Sequence, residues 1–469
     1  MDFISRFHHG ISKQDIARLL QVSPQAMEAF NNAYATQVLS EETPDDLFQV
    51  NAKQMANSMQ GKVELSDEQR KIKDRIVQEL LDEVQLYRYR HGNAEIITQK
   101  PLPDKTQLVS MQDMQTFPAT IRPQLSASLQ KRDIGPESYT VILDNLKNAM
   151  DKKRPAKQRQ MFYHMFRQGL DSLDLDPITY EILGCNKNTM GYWLPKIVAA
   201  VDNEGFFRIP DTTIMKVPMN LLQLTRCQYE ELTRTTLDIV DEVCFKAFEL
   251  DTAKDYFVKT GTYSSKYDFR NAHVSGDEIK ELGEYLLFIH YQANAMAGPL
   301  TGPHPIYGAS TTNEWVVREY IPDKENNPTI YKGLPLHTEY RVFVDFDTDE
   351  ILGLTPYWEP ETMKKRFGGE QNADSPHNVH DYIIYSAHEE TLMKRYTENK
   401  DTVLQHIQNI LPEIPLSGQW SIDIMQNGTD FWLIDMALAE TSAFYKACVP
   451  EKLRRPAEEN WIPKLTLDN

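Results

Sequence analysis

The segment Tyr256-Phe257-Val258-Lys259-Thr260-Gly261-Thr262-Tyr263-Ser264-Ser265-Lys266 reads as a strand that ends in a lysine and enters a loop of small residues. Such a loop exposes backbone N–H groups and hydroxyls, and Lys259 would add one fixed positive charge. Phosphate oxygens need both. The pattern GxxxxGK[ST] is absent, and many strand-turn segments contain Lys and Gly for purely structural reasons. A second pair of strands carries embedded charges: Glu314-Trp315-Val316-Val317-Arg318-Glu319-Tyr320-Ile321 and Thr338-Glu339-Tyr340-Arg341-Val342-Phe343-Val344-Asp345-Phe346. In the latter, the period of two puts Glu339, Arg341 and Phe343 on one face and Tyr340, Val342 and Val344 on the other. Glu339 and Arg341 either pair with each other or take a sugar hydroxyl and a phosphate.

The third segment, Gly418 to Met436, holds two alternating runs joined at Asn427-Gly428, a hairpin signal. A strict two-residue Asn427-Gly428 loop would pair 423 with 432 and 420 with 435, sending Asp423 and Asp435 to opposite faces. If Trp420, Ile422 and Ile424 share an apolar face with Trp432, Ile434 and Met436, the loop must hold an odd number of residues, for instance with Gly428 in a bulge. Asp423 and Asp435 then lie on one less apolar face. Two carboxylates gathered there repel unless a cation sits between them, and oxygen ligands of this kind suit Mg²⁺ carrying nucleotide phosphates. The bland reading is a pair of surface turn acids.

The elements that would position these residues change character along the chain. Residues 1 to about 200 read as mainly helical. Ser12 to Tyr34 has the outline of a helix-turn-helix, but its second helix, Gln25 to Asn32, carries no Arg or Lys for a phosphate or a guanine edge. Ser66-Asp67-Glu68-Gln69 opens a long amphipathic helix through Ile72, Ile76, Leu80, Leu81 and Val84. Five prolines between residues 98 and 136 mark a connecting region. The basic run from Lys152 to Arg159 is either a solvated helix end or a polyanion contact. After about residue 200 short β-rich runs appear, with a helix from Glu278 to Met296 between them, which indicates an α+β domain.

The composition bounds the rest. The 469 residues are 41% hydrophobic and 25% charged, the balance of a globular protein of two or three domains. A net charge of −18 removes the general electrostatic footprint of a nucleic-acid binder. The sequence has neither an apolar run of membrane-spanning length nor a signal-peptide pattern at Met1 to Ser5, so a cytoplasmic location is expected. Cys185, Cys227, Cys244 and Cys448 show no zinc-type spacing and read as core thiols.

Taken in order, the strand lysine with its small-residue loop, the charged hinge-like strand, the Glu-x-Arg strand and the C-terminal Asp hairpin resemble the ATP-grasp superfamily. They resemble most the eukaryotic ATP-grasp assembly chaperones of a translation initiation factor and related bacterial and phage domains, over roughly residues 205 to 445. The resemblance implies a C-terminal ATP-grasp fold at 201–446 after a helical recognition region at 1–200, with a tail at 447–469. It implies ATP and Mg²⁺ as ligands. Lys259, Ser264, Ser265 and Lys266 would hold the phosphates, and Arg318, Glu319, Tyr320 and Ile321 would form the hinge at the adenine edge. Arg341 would contact phosphate, and Glu339 would meet the ribose or a lysine. Asp423 and Asp435 would be metal ligands. The family's Asp-x-Asn is here Asp435-Met436-Ala437, so an amide ligand is missing, and Glu440 or Ser442 is left as its replacement. The activity implied is ligation through an acyl phosphate, with Lys259 and Arg341 neutralising charge. The acceptor, unknown, would be a peptide or protein. The alternative is a non-catalytic ATP-binding assembly factor, and a DNA-binding regulator is a distant third; neither nucleic acid nor membrane is an expected partner.

Overall fold

A computed structural model describes residues 67–98, 186–226, 234–297, 310–367 and 376–455, with scattered positions from 145 to 184. The helix-turn-helix reading of Ser12 to Tyr34, the prolines from 101 to 136 and the end of the tail lie outside the described residues. The first described helix, α1 (Asp67–Glu83), follows the expected stripe: Ile76, Leu80 and Leu81 are buried, as is Val84 just after it. Directly beyond it, within the region read as mainly helical, the chain forms a pair of strands that the sequence reading did not mark. Gln85–Arg90 (β1) and Asn93–Thr98 (β2) form an antiparallel hairpin turning at His91 and Gly92. Burial of Leu86 and Tyr89 on opposite sides of β1 lets this short polar strand serve two packed layers.

Helix α2 (Met190–Glu204) precedes the two-residue strand β3 (Phe207–Arg208) and β4 (Thr212–Lys216). Helix α3 (Arg234–Phe248), β5 (Tyr256–Thr260), β6 (His273–Val274), α4 (Leu282–Ala297) and β7 (Glu314–Glu319) follow. The helix expected from Glu278 starts as a 3₁₀ turn, Gly276–Glu281, anchored by a Ser275–Glu278 capping box, and becomes α-helical at Leu282. Its stripe of Ile279, Leu282, Leu286, Ile289 and Ala293 is buried. The strands form one six-stranded antiparallel sheet in the order β2-β1-β4-β7-β5-β6, which draws from both sides of residue 200.

A second sheet contains β10 (Thr338–Asp345), β11 (Glu350–Pro356), β12 (Gln419–Asn427) and β13 (Asp430–Leu438), after the small pair β8 (Thr329–Ile330) and β9 (Leu334–Pro335). Its order is β11-β10-β12-β13-β3, with only β3 parallel to its neighbour. Helices α5 (Pro360–Phe367) and α6 (Pro376–Ile410) lie between β11 and β12 in the chain. The architecture is therefore mixed α+β. One core packs Val258, Trp315 and Val317 of the first sheet against α1, α3 and α4. The other joins α2 and the end of α6 to Val342, Trp420, Ile422 and Leu433 of the second sheet, and reaches Tyr89, Ile214 and Val316 on the first sheet's opposite face. Among the described residues no helix is long and apolar enough to cross a membrane.

The hairpin of β12 and β13 corrects the register reading. Its turn is Gly428-Thr429, flanked by the pair Asn427 and Asp430, and Gly428 has φ +66. The odd residue lies deeper: Ile424 faces Leu433, but Asp423 faces Asp435, leaving Ile434 as a bulge. The apolar face of β13 is thus Phe431, Leu433, Met436 and Leu438, while Trp432 and Ile434 look the other way. A side chain at Gly428 must adopt the left-handed conformation although a Cβ there meets open space. Gly428→Ala should lower stability by about 1–2 kcal/mol, read as a shift in the urea midpoint at unchanged slope.

Candidate functional site

Between the two sheets lies a cleft of about 900 Å³, counting its solvent-open mouth. Its first wall is the face of the six-stranded sheet that carries Phe257, Lys259 and Arg318. Phe257 is paired across the strands with Arg318, and Lys259 with Val316 one step further from the sheet end. Its second wall carries Asp423 and Met425 of β12 with Ile434 and Asp435 of β13. Strict alternation from Leu433 would turn Asp435 into the core. The bulge instead sends two consecutive side chains, Ile434 and Asp435, to the cleft.

Charges meet across the gap. The Lys259 ammonium lies 3.3 and 3.4 Å from the two carboxylate oxygens of Asp435. The lysine side chain is 4% exposed and the aspartate 46%, so the acid is the partner a solute can reach. Burial is the largest influence on Lys259 and pushes its pKa down, Arg318 and Lys266 push the same way, and Asp435 offsets part of this. Arg341 holds Asp423 in a two-pronged bond, Nε to Oδ1 at 2.8 Å and Nη2 to Oδ2 at 2.6 Å. Burial opposes the Arg341 charge, but Asp423 outweighs it and the guanidinium pKa rises. Arg318 is buried, and its pKa falls to about 10, chiefly through desolvation. Its Nη1 donates to the Ile434 carbonyl and its Nε to Thr212 Oγ1 at 3.1 Å. Each cation is thus tied to the opposite wall, to the neighbouring strand of its own sheet, or to both.

Lys266 is held differently. It donates to the Tyr357 hydroxyl and lies 4.1 Å above that ring, while Arg341 covers the same ring at 4.7 Å. Glu339 accepts from Trp358 Nε1 at 3.1 Å. Burial lifts its pKa to about 7, and Lys266 and Arg341 only partly counter that. The turn Tyr357-Trp358 therefore packs directly on the charged residues.

Of the expected site residues, Lys259, Ser264, Lys266, Arg318, Glu319, Tyr320, Ile321, Glu339, Asp423 and Asp435 line one cleft. Arg341 stands next to it through Asp423 and Tyr357. Ser265 does not join them: its hydroxyl donates to Gln292 Oε1 at 2.8 Å inside the protein. Glu440 also stays apart, in the 3₁₀ turn Ala439–Thr441 away from the lining. Ser442 bonds Ser421 Oγ at 2.7 Å and the Leu438 carbonyl at 3.0 Å, and Ala437 sits opposite Ser421. Among the described residues no group of three or more His, Cys, Asp or Glu is placed to hold a metal. The donor set is two carboxylates, which fits Mg²⁺ only when phosphate oxygens and water complete its shell.

Apolar lining residues carried no signal in the sequence: Pro210, Phe257, Phe269, Leu334, Pro335, Met425 and Ile434. Only the strand period could have found Phe257 and Met425, each two residues from a charged member of the site. His337 lines the cleft too, but it is already satisfied, with Asn327 at 3.3 Å and Asp323 at 3.7 Å. At the hinge, the N–H groups of Glu319 and Tyr320 donate to the carbonyls of Asp211 and Asp255 at 2.8 and 3.0 Å. The Ile321 N–H has no protein acceptor among the described residues. Gly261 is required beneath the loop, because a Cβ there would meet Thr312 Oγ1 at 2.5 Å and Glu314 Oε2 at 2.7 Å.

Glu339 yields a test. An acid whose pKa rises from 4.5 to about 7 on folding makes the folded state the better proton binder. Its stabilisation is present below about pH 4.5 and is lost as pH rises through 7, on the order of 3 kcal/mol in all. Glu339→Gln should remove that share of the pH dependence, read from urea midpoints of variant and parent at pH 5 and pH 8.

No protein-family model and no curated protein sequence matches the chain. Among solved structures it is similar to a C-terminally truncated Cdc123 from Schizosaccharomyces pombe, at 10% identity and TM-score 0.31, covering 59% of this chain and 94% of that one. A second structure of Cdc123 from the same organism is similar at 11% identity and TM-score 0.31, covering 60% and 97%. A likeness at that level carries no weight for function.

Proposed function

We propose that the cleft binds ATP with Mg²⁺ in the manner of an ATP-grasp protein. The observation that carries this reading is the exchangeable ion pair across the gap. A phosphate oxygen can replace the Asp435 carboxylate on Lys259, and Asp435 is then left beside Asp423 on the same face of the hairpin. The freed Asp435 carboxylate, and Asp423 through a lone pair that its bond to Arg341 leaves over, would be the two oxygen ligands a phosphate-bound Mg²⁺ takes from the protein. Lys266, which makes no salt bridge among the described residues, and the Ser264 loop complete a cationic, donor-rich end. At the other end, Phe257, Met425 and Ile434 with the open Ile321 N–H suit a flat heterocycle with one acceptor at its edge.

In this reading the chain's own residues supply position and charge. Lys259, Lys266 and Arg341 neutralise developing phosphoryl charge, and Mg²⁺ would supply the same service as a Lewis acid when bound. The activity that follows is activation of a carboxylate as an acyl phosphate for an amine or thiol acceptor, with a peptide or protein as the acceptor class. A second reading, an ATP-binding assembly factor without turnover, is favoured by one observation: Ala437 offers no amide, and Ser442 is tied to Ser421 and Leu438.

Calorimetric titration with ATP, with and without Mg²⁺, tests the binding itself. Lys259→Ala should weaken ATP by roughly 10- to 100-fold. Asp435→Asn should remove most of the Mg²⁺-dependent part of the affinity. Affinity indifferent to both Lys259→Ala and Mg²⁺ would sink the assignment. ADP release on the same sample separates the readings: slow release supports the ligase, whereas tight binding with no release even after addition of peptide and amine acceptors supports the assembly factor.

A further inference from the structure

Lys187 stands in the short loop before α2, and its neighbours are pinned. Asn186 Nδ2 donates to the Thr311 carbonyl at 2.7 Å, Thr189 Oγ1 donates to the Asn186 carbonyl at 2.7 Å, and Asn188 Oδ1 accepts from the Leu438 N–H at 2.7 Å. The backbone that carries the lysine is therefore held on both sides of it. The residue is half-buried, and its ammonium lies 5.6 Å from the centre of the Tyr192 ring. Lys196, one turn along α2 from that tyrosine, places its own ammonium 3.3 Å from the same centre and donates to the Tyr192 carbonyl. The two nitrogens are thus no further apart than the two ring distances laid end to end.

No acid is bound to this pair. Among the described residues neither ammonium has a carboxylate within ion-pairing distance, and Lys187 has no hydrogen-bond acceptor. The acid that acts on Lys187 is Asp347, in the turn between β10 and β11, and it is already engaged by Arg455 Nη2 at 2.9 Å and by the Gly418 N–H at 3.1 Å. Burial raises the pKa of the Tyr192 hydroxyl, so the shared ring brings no negative charge. Like charges crowded on one ring without a counter-ion disfavour each other's charged form, and removal from water adds to this. At Lys187 burial is the larger influence and Lys196 the second, and against Asp347 they bring its pKa down to about 8. Burial also lowers Lys196 and Lys259, but the first is fixed on a carbonyl and the second on Asp435. Lys187 keeps its lone pair free once the proton has left, which is what a nucleophilic amine requires.

We propose that Lys187 is a nucleophilic amine that takes an acyl group from an acyl phosphate. The Nζ lone pair attacks the carbonyl carbon, a C–N bond forms as the C–O bond to phosphate breaks, phosphate leaves with the bonding pair, and the surplus ammonium proton passes to water. The Lys196 ammonium favours this donor over a neutral ester, because the charge that develops on the leaving group is negative. Lys187 is outside the cleft lining, so nucleotide binding has no part in the step. The test treats the full chain with acetyl phosphate from pH 7 to pH 10 and reads acetylation at each lysine by mass spectrometry. At pH 7.5 Lys187 should react about tenfold faster than the exposed Lys364 and Lys365 of α5, and its rate should level off above pH 9 while theirs still climbs. In Lys196→Gln the midpoint of the Lys187 rate profile should move to higher pH, since the neighbouring charge is gone. A rate at Lys187 no greater than at Lys364 and Lys365, or one still climbing at pH 10, overturns the nucleophile. A midpoint that stays in place in Lys196→Gln overturns the part assigned to the lysine pair. The wild-type profile decides the reactivity even if the variant does not fold.

Discussion

Burial of positive charge between two sheets is the constraint around which the cleft is built. Lys259, Arg318 and Arg341 are all largely removed from water, and an uncompensated cation there would be prohibitively costly. Each is answered by oxygen: Asp435, the Ile434 carbonyl with Thr212, and Asp423. Asp435 and the Ile434 carbonyl come from the opposite sheet, so the contacts that answer Lys259 and Arg318 also hold the two walls in register, whereas Thr212 and Asp423 belong to the cation's own sheet. In the function proposed above, an anion would take the place of the Asp435 carboxylate on Lys259, on groups that are already held in position.

The bulge at Ile434 makes that arrangement possible. Regular pairing would give Phe431, Leu433 and Asp435 one face, forcing a carboxylate into the apolar layer that contains Val342, Trp420 and Ile422. One extra residue resolves the conflict. Met436 returns to the core, Asp435 comes opposite Asp423, and the Ile434 carbonyl becomes available to Arg318. The two sheets are also linked through the base of the small-residue loop. Gly261 donates to the Glu314 carbonyl and accepts from Met190, while the Glu314 carboxylate accepts from Gly191 at the start of α2. Burial raises the pKa of that carboxyl, and the close fit of Gly261 against it leaves no room for a side chain. The loop beside Lys259 is thereby anchored to the helix that packs on the second sheet.

Much of this was legible in the chain. The stripe of α1, the buried face of α4 and the division of β10 into a core face of Tyr340, Val342 and Val344 and a polar face of Glu339 and Arg341 follow from period alone, because period is a local property of a regular backbone. The types of Lys259, Lys266, Asp423 and Asp435 limited the chemistry to anions and hard cations before any contact was known. The hairpin at β1 and β2 escaped such reading because Gln85–Arg90 is too polar and too short to announce a strand, and it exists by pairing with β4.

What only the tertiary structure decided is which of these residues meet. The sequence determined the faces of the elements, the placement of charge at strand ends and the need for a bulge somewhere in the last hairpin. It did not determine that the bulge falls at Ile434 rather than at the turn, that Ser265 turns to Gln292, that Glu440 stays outside, or that Lys259 finds Asp435 176 positions away. Those outcomes depend on which buried charges and apolar side chains can be satisfied together once two sheets close on one another. That competition is between groups distant in sequence, and no local pattern records its result.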